Sequence, residues 1–437
     1  MKAMDKIIGY SNIKRELKQI ADTLKNRDSY EKLGVSSPRG LLLYGEPGVG
    51  KSLMASAIIE ESGRTAFTCR KDQPNGDFVK HIKATFDQAA ENAPSIVYLD
   101  DMDKFANGDE KHPDAEEYVT VQSCIDEVKG KEVFVLATVN NIQNLPRSLR
   151  RAGRFDRVIQ VSAPRGKDAE HIIAHYLGSK KFVDGVDAKT ISRIMDGRSC
   201  AALETVINEA GLYAGYERAE SITMDHFLEA CMRTIFNVAA KANDDEDDVD
   251  YYAGLSNSQN TISQVVYHEA GHAVVSEVLC PESVTLVCAY SRGVDDGGFA
   301  DYYHDRNTTP LYGAKSRIVR SLGGMAALEQ IFGIFDAGNG SDLDQAFDEV
   351  KDLVVNNCIC GFHLHKNLYE DSQHLWSAQE QVVSAEVEKY YKKAKEILAC
   401  NKEFLDKLAG ALAKKGVLTM TDVQAIKKTC TIVPVVL

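Results

Sequence analysis

The sequence lacks any apolar run long enough to cross a membrane. A spanning helix needs roughly 18 to 20 predominantly apolar residues, and the most apolar stretches, residues 323–335 and 431–437, are shorter or contain a glutamate. The first residues also lack the basic start and the apolar centre of a secretory signal peptide. We therefore expect a soluble protein that stays in the cytoplasm and has no integral membrane segment.

Positive charge and paired cysteines are also scarce. The 437 residues include 51 Lys and Arg against 64 Asp and Glu, which gives a net charge of −13. No basic run offers the phosphate contacts on which nucleic-acid binding depends, so we expect no nucleic-acid partner. The ten cysteines contain no CxxC pair, which argues against a zinc knuckle and against a disulfide framework.

The first half of the sequence alternates short aliphatic runs with helical periodicity, which is typical of a parallel sheet flanked by helices. The five predicted strands are Leu41–Tyr44, Thr65–Arg70, Ser95–Asp100, Glu132–Thr138 and Arg157–Val161. Residues 165–240 carry only helical patterns, such as His171–Leu177 and Ala201–Tyr213. We therefore predict a large α/β subdomain over residues 1–164 and a helical subdomain over 165–240.

An acidic block separates this half from the rest of the chain. Six of the seven residues from Asp244 to Asp250 are acidic, and such a block repels itself and cannot pack into a core. We predict a linker over residues 241–260. The remaining residues, 261–437, show helical spacing over 261–279, 313–332, 342–355 and 377–413, so we predict a separate, mainly α-helical domain.

A phosphate-binding motif follows the first predicted strand. Residues 45–52 fit GxxxxGK[ST] and open a helix with apolar periodicity. Glycines let successive backbone N–H groups face phosphate oxygens at a helix N-terminus, the lysine reaches the β- and γ-phosphates, and the hydroxyl binds Mg²⁺. The predicted nucleotide site therefore consists of Gly45, Glu46, Pro47, Gly48, Val49, Gly50, Lys51 and Ser52.

Two carboxylates, Asp100 and Asp101, end the third predicted strand. Nucleotide-hydrolysing sheets hold their metal and orient water at this position, so we assign Asp100 to Mg²⁺ and Asp101 to the attacking water. A glutamate is commoner at the second position. The shorter Asp101 must reach further, which weakens the case for fast hydrolysis. The alternative is that the pair only caps a helix.

A metal-binding motif, HExxH, occupies residues 268–272 in a predicted helix. The i, i+4 spacing puts His268 and His272 on one helical face, as zinc requires, and Glu269 beside them can accept a proton from the attacking water. A catalytic zinc needs a third protein ligand. The continuation HExxHxxGxxH is absent, because Val275 and Val278 occupy its last two positions.

The segment that follows the fourth strand carries a family resemblance. Asn140 and residues 150–157 (RRAGRFDR) resemble the second region of homology of AAA+ ATPases. The resemblance implies an ATP site with a polar sensor at Asn140, and arginine fingers at Arg154 and Arg157 that act on the nucleotide of the neighbouring subunit. It also implies self-association into a ring, usually a homohexamer. From the residues alone, a solvated basic turn remains the alternative.

The second half resembles the FtsH family of AAA+ zinc proteases. Residues 338–346 (GNGSDLDQA) resemble the ligand-bearing helix start of that family. The resemblance implies Zn²⁺ held by His268, His272 and Asp342, and polypeptide substrates. Two alternatives for the third ligand stay open: Asp344, and the pair His363 and His365, for which we favour an ordinary loop position.

This second resemblance covers nearly the whole chain, through residues 10–34, 267–275 and 322–333, and the three motifs occur in the family's order. Two departures matter. We expect no counterpart here of the family's N-terminal membrane anchors, because the ATPase motifs begin almost at Met1. The aromatic pore loop is also altered: residues 70–79 read RKDQPNGDFV, and Phe78 is the one candidate for a substrate-gripping aromatic. The alternative is that Phe78 is a core residue of the next helix.

Our interpretation is an ATP-dependent zinc endopeptidase in which an AAA+ ring feeds polypeptides to the HExxH site. Two other functions remain possible from the sequence: an AAA+ remodelling or adaptor ATPase with hydrolysis impaired by Asp101, and a zinc peptidase that uses nucleotide only for assembly. The intact HExxH with Asp342 argues against the first, and the retained Arg154 and Arg157 argue against the second.

Overall fold

The computed structural model describes residues 3–72, 74–106, 115–151, 153–181, 183–238, 259–290, 298–303, 310–335, 340–365 and 373–437. These residues divide into two compact units, Met1–Met224 and Asp225–Leu437. The acidic block and residues 338–339 lie outside the described residues. The domain borders at 164, 240 and 260 stay predictions. Among the described helices, none combines the length and the apolar character that crossing a bilayer requires.

The first unit contains the predicted parallel sheet. All five strands are present, each end lies within one residue of its predicted position, and the spatial order is β2-β3-β4-β1-β5. The central strands β3 and β4 are buried along their whole length, as expected of a sheet covered on both faces. The strands are β1 (Gly40–Tyr44), β2 (Thr65–Cys69), β3 (Ser95–Leu99), β4 (Val133–Val139) and β5 (Arg157–Gln160).

The register of this sheet brings the predicted nucleotide residues to one edge. Tyr44 of β1 pairs with Val139 of β4, and Leu99 of β3 pairs with Ala137. The phosphate loop, Asp100 and Asn140 each follow one of these strands directly. Because parallel strands all end at the same edge, these side chains meet there, where ligands of α/β sheets usually bind.

Nine helices are described up to the border between the two units. Five accompany the sheet: α1 (Ser11–Lys25), α2 (Arg27–Glu31), α3 (Lys51–Ser62), α4 (Asn75–Glu91) and α5 (Glu116–Glu127). The next four agree with the helical pattern predicted after Pro164, and the last of them begins at the border: α6 (Lys167–Gly178), α7 (Ala188–Ile194), α8 (Cys200–Tyr216) and α9 (Met224–Thr234).

The second unit is built around the helix that carries HExxH. This helix, α10, packs against α11, α12 and α15. The contact with α12 is so close that a Cβ atom on Gly271 would lie 2.5 Å from the carbonyl oxygen of Gly323, so glycine is required there. The helices are α10 (Gln259–Leu279), α11 (Pro310–Ser321), α12 (Gly323–Phe332), α13 (Gly340–Lys351), α14 (Gln373–Cys400), α15 (Lys402–Lys415) and α16 (Met420–Lys427).

Two features of the second unit differ from expectation. A three-stranded antiparallel sheet of order β7-β6-β8 was not predicted; its strands are β6 (Val284–Cys288), β7 (Phe299–Tyr302) and β8 (Val417–Thr419). The predicted helical stretch over 377–413 is divided at Asn401, and the stretch over 313–332 at Leu322. Asn401 lies between the two helices with non-helical backbone angles, and its side-chain amide exchanges two hydrogen bonds with the backbone of Val433.

Short 3-10 segments span Ala3–Lys6, Met102–Lys104, Ile142–Asn144 and Phe362–Leu364, and a π turn spans Asp352–Asn356.

Candidate nucleotide and metal sites

The phosphate loop connects β1 to α3 and has the backbone that its glycines were predicted to provide. Gly48 and Gly50 have φ angles of 77° and 96°, in the left-handed region that favours glycine. At Gly45, a Cβ atom would lie 1.9 Å from the carbonyl oxygen of Val161. Helix α3 begins at Lys51, so the loop ends on the unpaired N–H groups of a helix N-terminus.

A cavity of about 650 Å³ lies over this loop. This volume is within the usual range for small-molecule and cofactor sites. Its walls come from the loop, the N-terminal segment and helices α6 and α8; they include Lys6, Ile7, Ile8, Tyr10, Lys51, Ser52, Asp101, Lys104, Asn140, Ile172, His175, Tyr176, Cys200 and Glu204. Helix α8 also contacts the loop directly, since Ala201 N–H donates to the carbonyl of Gly48 at 3.1 Å.

Lys51 and Asn140 form the centre of the site. Lys51 Nζ donates to Oδ1 of Asn140 at 2.8 Å and to the carbonyls of Gly45 and Glu46 at 2.7 and 2.8 Å. Asn140 Nδ2 in turn donates to Oδ1 of Asp101 at 3.4 Å. Burial lowers the pKa of Lys51. The predicted sensor therefore lies between the phosphate-binding lysine and the acid assigned to water.

Asp100 is buried and Asp101 is partly exposed. Oδ1 of Asp100 accepts the hydroxyls of Tyr98 at 2.7 Å and Thr138 at 2.8 Å, and Oδ2 accepts a hydrogen bond from Arg70. Burial alone would raise the pKa of Asp100, but these donors outweigh it and hold that pKa below its usual value. Asp101 instead forms an ion pair with Lys104 at 2.6 Å.

The donors around this edge suit a hard cation. Mg²⁺ prefers oxygen ligands, and the chain offers the exposed hydroxyl of Ser52 and the ionised carboxylate of Asp100. The sequence analysis did not assign Arg70 and Lys104 to the nucleotide site. For Arg70 a signal was available, because this residue directly follows β2 and therefore lies at the same edge of the sheet. The sequence analysis also missed Asp103, whose carboxylate accepts the backbone N–H groups of residues 140 and 141 at 3.2 Å.

The two predicted arginine fingers lie in different environments. Arg154 is held within its own chain by Asp126 at 2.8 Å, Gln122 at 3.0 Å and the carbonyl of Ser148 at 2.7 Å. Arg157 is exposed at the start of the edge strand β5. Neither arginine is among the described residues that line the nucleotide cavity.

Phe78 is a core residue. Its side chain is fully buried in the cluster between the sheet and helices α4 and α5, and its ring meets that of Phe105 edge-on with centroids 4.8 Å apart. Of the two roles that the sequence left open for Phe78, the structure supports the core residue and not the gripping aromatic.

The predicted metal ligands converge in the second unit. The Nε2 atoms of His268 and His272 lie 2.9 Å apart, and each is 3.1 Å from Oδ2 of Asp342. Across the described part of the chain, this is the one group of three such side chains placed to share a metal ion. Asp344 is exposed on the next part of α13, and His363 and His365 are exposed elsewhere, so neither alternative joins the cluster.

The surroundings orient these ligands for a metal. The carbonyl of Arg320 accepts a hydrogen bond from Nδ1 of His272 at 2.7 Å, which leaves the Nε2 lone pair of that ring for a metal. Gly324 leaves the necessary space, since a Cβ atom there would lie 2.4–2.5 Å from both imidazoles. Burial would raise the pKa of Asp342, but the imidazoles outweigh it and hold that pKa well below its usual value.

Glu269 completes the site. Its side chain is 5% exposed, and the backbone of Gly298, just before β7, approaches so closely that a Cβ atom there would lie 2.8 Å from the glutamate's Cγ. Two imidazoles, one carboxylate and an adjacent glutamate are a donor set that fits catalytic zinc, which takes three protein ligands and keeps one open position.

Comparisons with known proteins match both sites. The model of the ATPase family associated with various cellular activities (AAA) matches residues 41–163, and the model of peptidase family M41 matches residues 255–426. The chain is 30% identical to an ATP-dependent zinc metalloprotease FtsH of Syntrophotalea carbinolica, over 96% of this chain and 68% of the relative. It is 28% identical to an FtsH 2 of Phytoplasma mali, over 97% and 62%, and 29% identical to an FtsH of Mycoplasma pneumoniae, over 99% and 63%. The chain thus spans about two thirds of the length of these relatives.

Proposed function

The chain belongs to the FtsH family of ATP-dependent zinc metalloproteases, and we propose that it cleaves polypeptides at the site formed by His268, His272 and Asp342 while ATP turnover at the phosphate loop delivers them. The observation that carries this proposal is the convergence of the ligand atoms of His268, His272 and Asp342 within 4.8 Å of one another. The same chain holds a nucleotide cavity around Lys51.

At the peptidase site, zinc supplies a Lewis acid that polarises the scissile carbonyl and the attacking water when it is bound. His268, His272 and Asp342 would hold the ion, and the carbonyl of Arg320 accepts a hydrogen bond from Nδ1 of His272, which leaves Nε2 of that ring for the metal. Glu269 accepts the proton of the attacking water and passes it to the leaving amine.

At the nucleotide site, the backbone of the phosphate loop and Lys51 would bind the triphosphate, and Ser52 and Asp100 would bind Mg²⁺. Asp101 orients the attacking water, and Asn140 senses the γ-phosphate through its contacts with Lys51 and Asp101. These roles require positioning and charge rather than covalent chemistry, as phosphoryl transfer generally does.

For the assembly, we propose a homohexameric ring in which Arg154 and Arg157 reach the nucleotide of the next subunit. Arg157 is exposed, whereas Arg154 must first leave Asp126. Because all ten cysteines are free thiols, which suits a reducing compartment, we propose the cytoplasm as its location.

The proposal is tested by casein digestion with ATP, without nucleotide, and with ATP plus a zinc chelator. We expect digestion only in the first reaction. Digestion that continues unchanged in the chelator would refute the zinc site, and equal rates with and without ATP would refute coupling between the two sites.

A remodelling ATPase with slow hydrolysis is the second candidate, and one observation favours it. Asp101 is shorter than the usual glutamate, and Lys104 holds its Oδ2 at 2.6 Å. This candidate predicts ATP binding with little turnover and no casein cleavage, so the same digestion, run beside a phosphate-release assay, distinguishes the two functions.

A further inference from the structure

Each acid of the nucleotide site already has a cationic partner from its own chain. Arg70 donates through Nη2 to Oδ2 of Asp100, and Lys104 pairs with Asp101. Strands β2 and β3 are neighbours, so the residue that follows β2 lies beside the acid that follows β3. Since Oδ1 of Asp100 is bonded by two hydroxyls, both oxygens of this carboxylate already have donors.

These ion pairs line a second cavity, of about 320 Å³, together with Lys71. Asp101 and Lys104 belong to the walls of both cavities, so the small cavity adjoins the nucleotide site. Its lining places Arg70, Lys71 and Lys104 beside the carboxylates of Asp100 and Asp101, and Lys71 is also paired with Glu117 at 3.7 Å. A divalent cation prefers a site rich in carboxylate oxygens, and here the guanidinium of Arg70 already occupies Oδ2 of Asp100.

We propose that Arg70 is a built-in competitor of the divalent ion at Asp100, so that Mg²⁺ binds only after the guanidinium has left the carboxylate. The inference rests on the proposed ATPase function, because Asp100 is the carboxylate assigned there to Mg²⁺. The Arg70 side chain is 65% exposed, so it can leave without opening the core.

Binding of the nucleotide offers the Arg70 guanidinium an alternative partner to Asp100. Phosphate groups accept paired hydrogen bonds from a guanidinium, and the cavity that Arg70 lines adjoins the cavity that receives the triphosphate. Arg70 is thus a positioning residue: it holds Asp100 when no nucleotide is bound and yields it when Mg²⁺ and the triphosphate arrive together.

Lys104 provides a control within the same cavity. Replacing Lys104 by glutamine removes the same unit of charge as replacing Arg70. Because Lys104 pairs with Asp101, this change leaves the contact between Arg70 and Asp100 intact. Lys80, which is exposed and pairs only with Asp77 three residues earlier among the described contacts, provides a control for charge removed elsewhere in the unit.

The test is a titration of the nucleotide-free full chain with Mn²⁺, with free Mn²⁺ followed by electron paramagnetic resonance, and binding of a non-hydrolysable ATP analogue is measured separately. We expect Arg70→Gln to bind Mn²⁺ about threefold more tightly than the unmodified chain, the scale of one exposed ion pair. Lys80→Gln should match the unmodified chain, and Lys104→Gln should change less than Arg70→Gln. Structural damage at the site would weaken binding, so the gain distinguishes competition from a merely structural role.

Equal or weaker Mn²⁺ affinity in both Arg70→Gln and Arg70→Ser overturns the competition, and so does an equal gain in Lys104→Gln, which would assign the effect to net charge alone. If the unmodified chain binds neither the analogue nor Mn²⁺, the nucleotide site itself is refuted. The result for the analogue alone therefore separates a failure of the proposed function from a failure of this inference.

Discussion

Replacing Phe78 by alanine should destabilise the first unit, because the ring is fully buried and packs edge-on against Phe105 at 4.8 Å. Removing a buried phenylalanine side chain costs about 3 to 5 kcal/mol, through lost burial and the cavity that remains. For a unit of this size, each kcal/mol shifts Tm by about 2 to 4 °C, so Tm should fall by about 6 to 20 °C.

The measurement is a thermal melt of the full chain, in which the transition of the first unit is identified by its upward shift with an ATP analogue. Tyr216→Ala, at a position that is 79% exposed, is the matched aromatic control and should leave Tm unchanged. ATP hydrolysis and digestion of long substrates should fall together in Phe78→Ala. An unchanged Tm with selective loss of long-substrate digestion would refute the core assignment and restore Phe78 as a gripping residue.

Four further variants test other parts of the structure. Gly324→Ala should lose zinc while keeping its fold, because the added Cβ would lie 2.4–2.5 Å from the imidazoles; metal analysis that finds full zinc would contradict this. Lys427→Met should lower the free energy of unfolding by about 3 to 5 kcal/mol, since it leaves the fully buried Glu277 without the cation that lies 2.8 Å away, and urea unfolding measures it. Lys51→Ala should abolish nucleotide binding in a calorimetric titration. Asp101→Asn should keep nucleotide binding and lose ATP turnover. An unchanged ATPase rate in Asp101→Asn would disprove the role of Asp101 in orienting water.

Features encoded by local spacing could be predicted from the sequence. The phosphate loop, the acids after β3 and the HExxH pair each depend on residues within one turn or one strand end, so the pattern alone indicates where they lie. The five strands were predictable for the same reason, since each is a short aliphatic run between helical segments.

Features that depend on packing between distant segments were not predictable in the same way. Asp342 came from a family resemblance, and the residues alone left Asp344 open, because the choice depends on how α13 is rotated against α10. The contact of Arg70 with Asp100 was not predicted, because the sequences of β2 and β3 do not show that these strands are neighbours in the sheet. The small sheet was missed because β8 joins β6 from the far end of the chain, although the β-branched run of β6 was a usable signal.

The role of Phe78 could not be predicted from the sequence for a different reason. Its position after a polar loop fits either a pore aromatic or a helix core residue, and the sequence left both open. Burial is decided by its contact with Phe105, which follows a different strand. A residue at the start of a helix thus needs its tertiary neighbour before its role can be assigned.

The most direct test of the account measures zinc content and cleavage of an unfolded protein, with ATP, in the unmodified chain, Glu269→Gln and Asp342→Ala. The account predicts about one zinc per chain and cleavage in the unmodified protein, full zinc without cleavage in Glu269→Gln, and neither in Asp342→Ala. Full zinc together with normal cleavage in Asp342→Ala would contradict the three-ligand site on which the account depends.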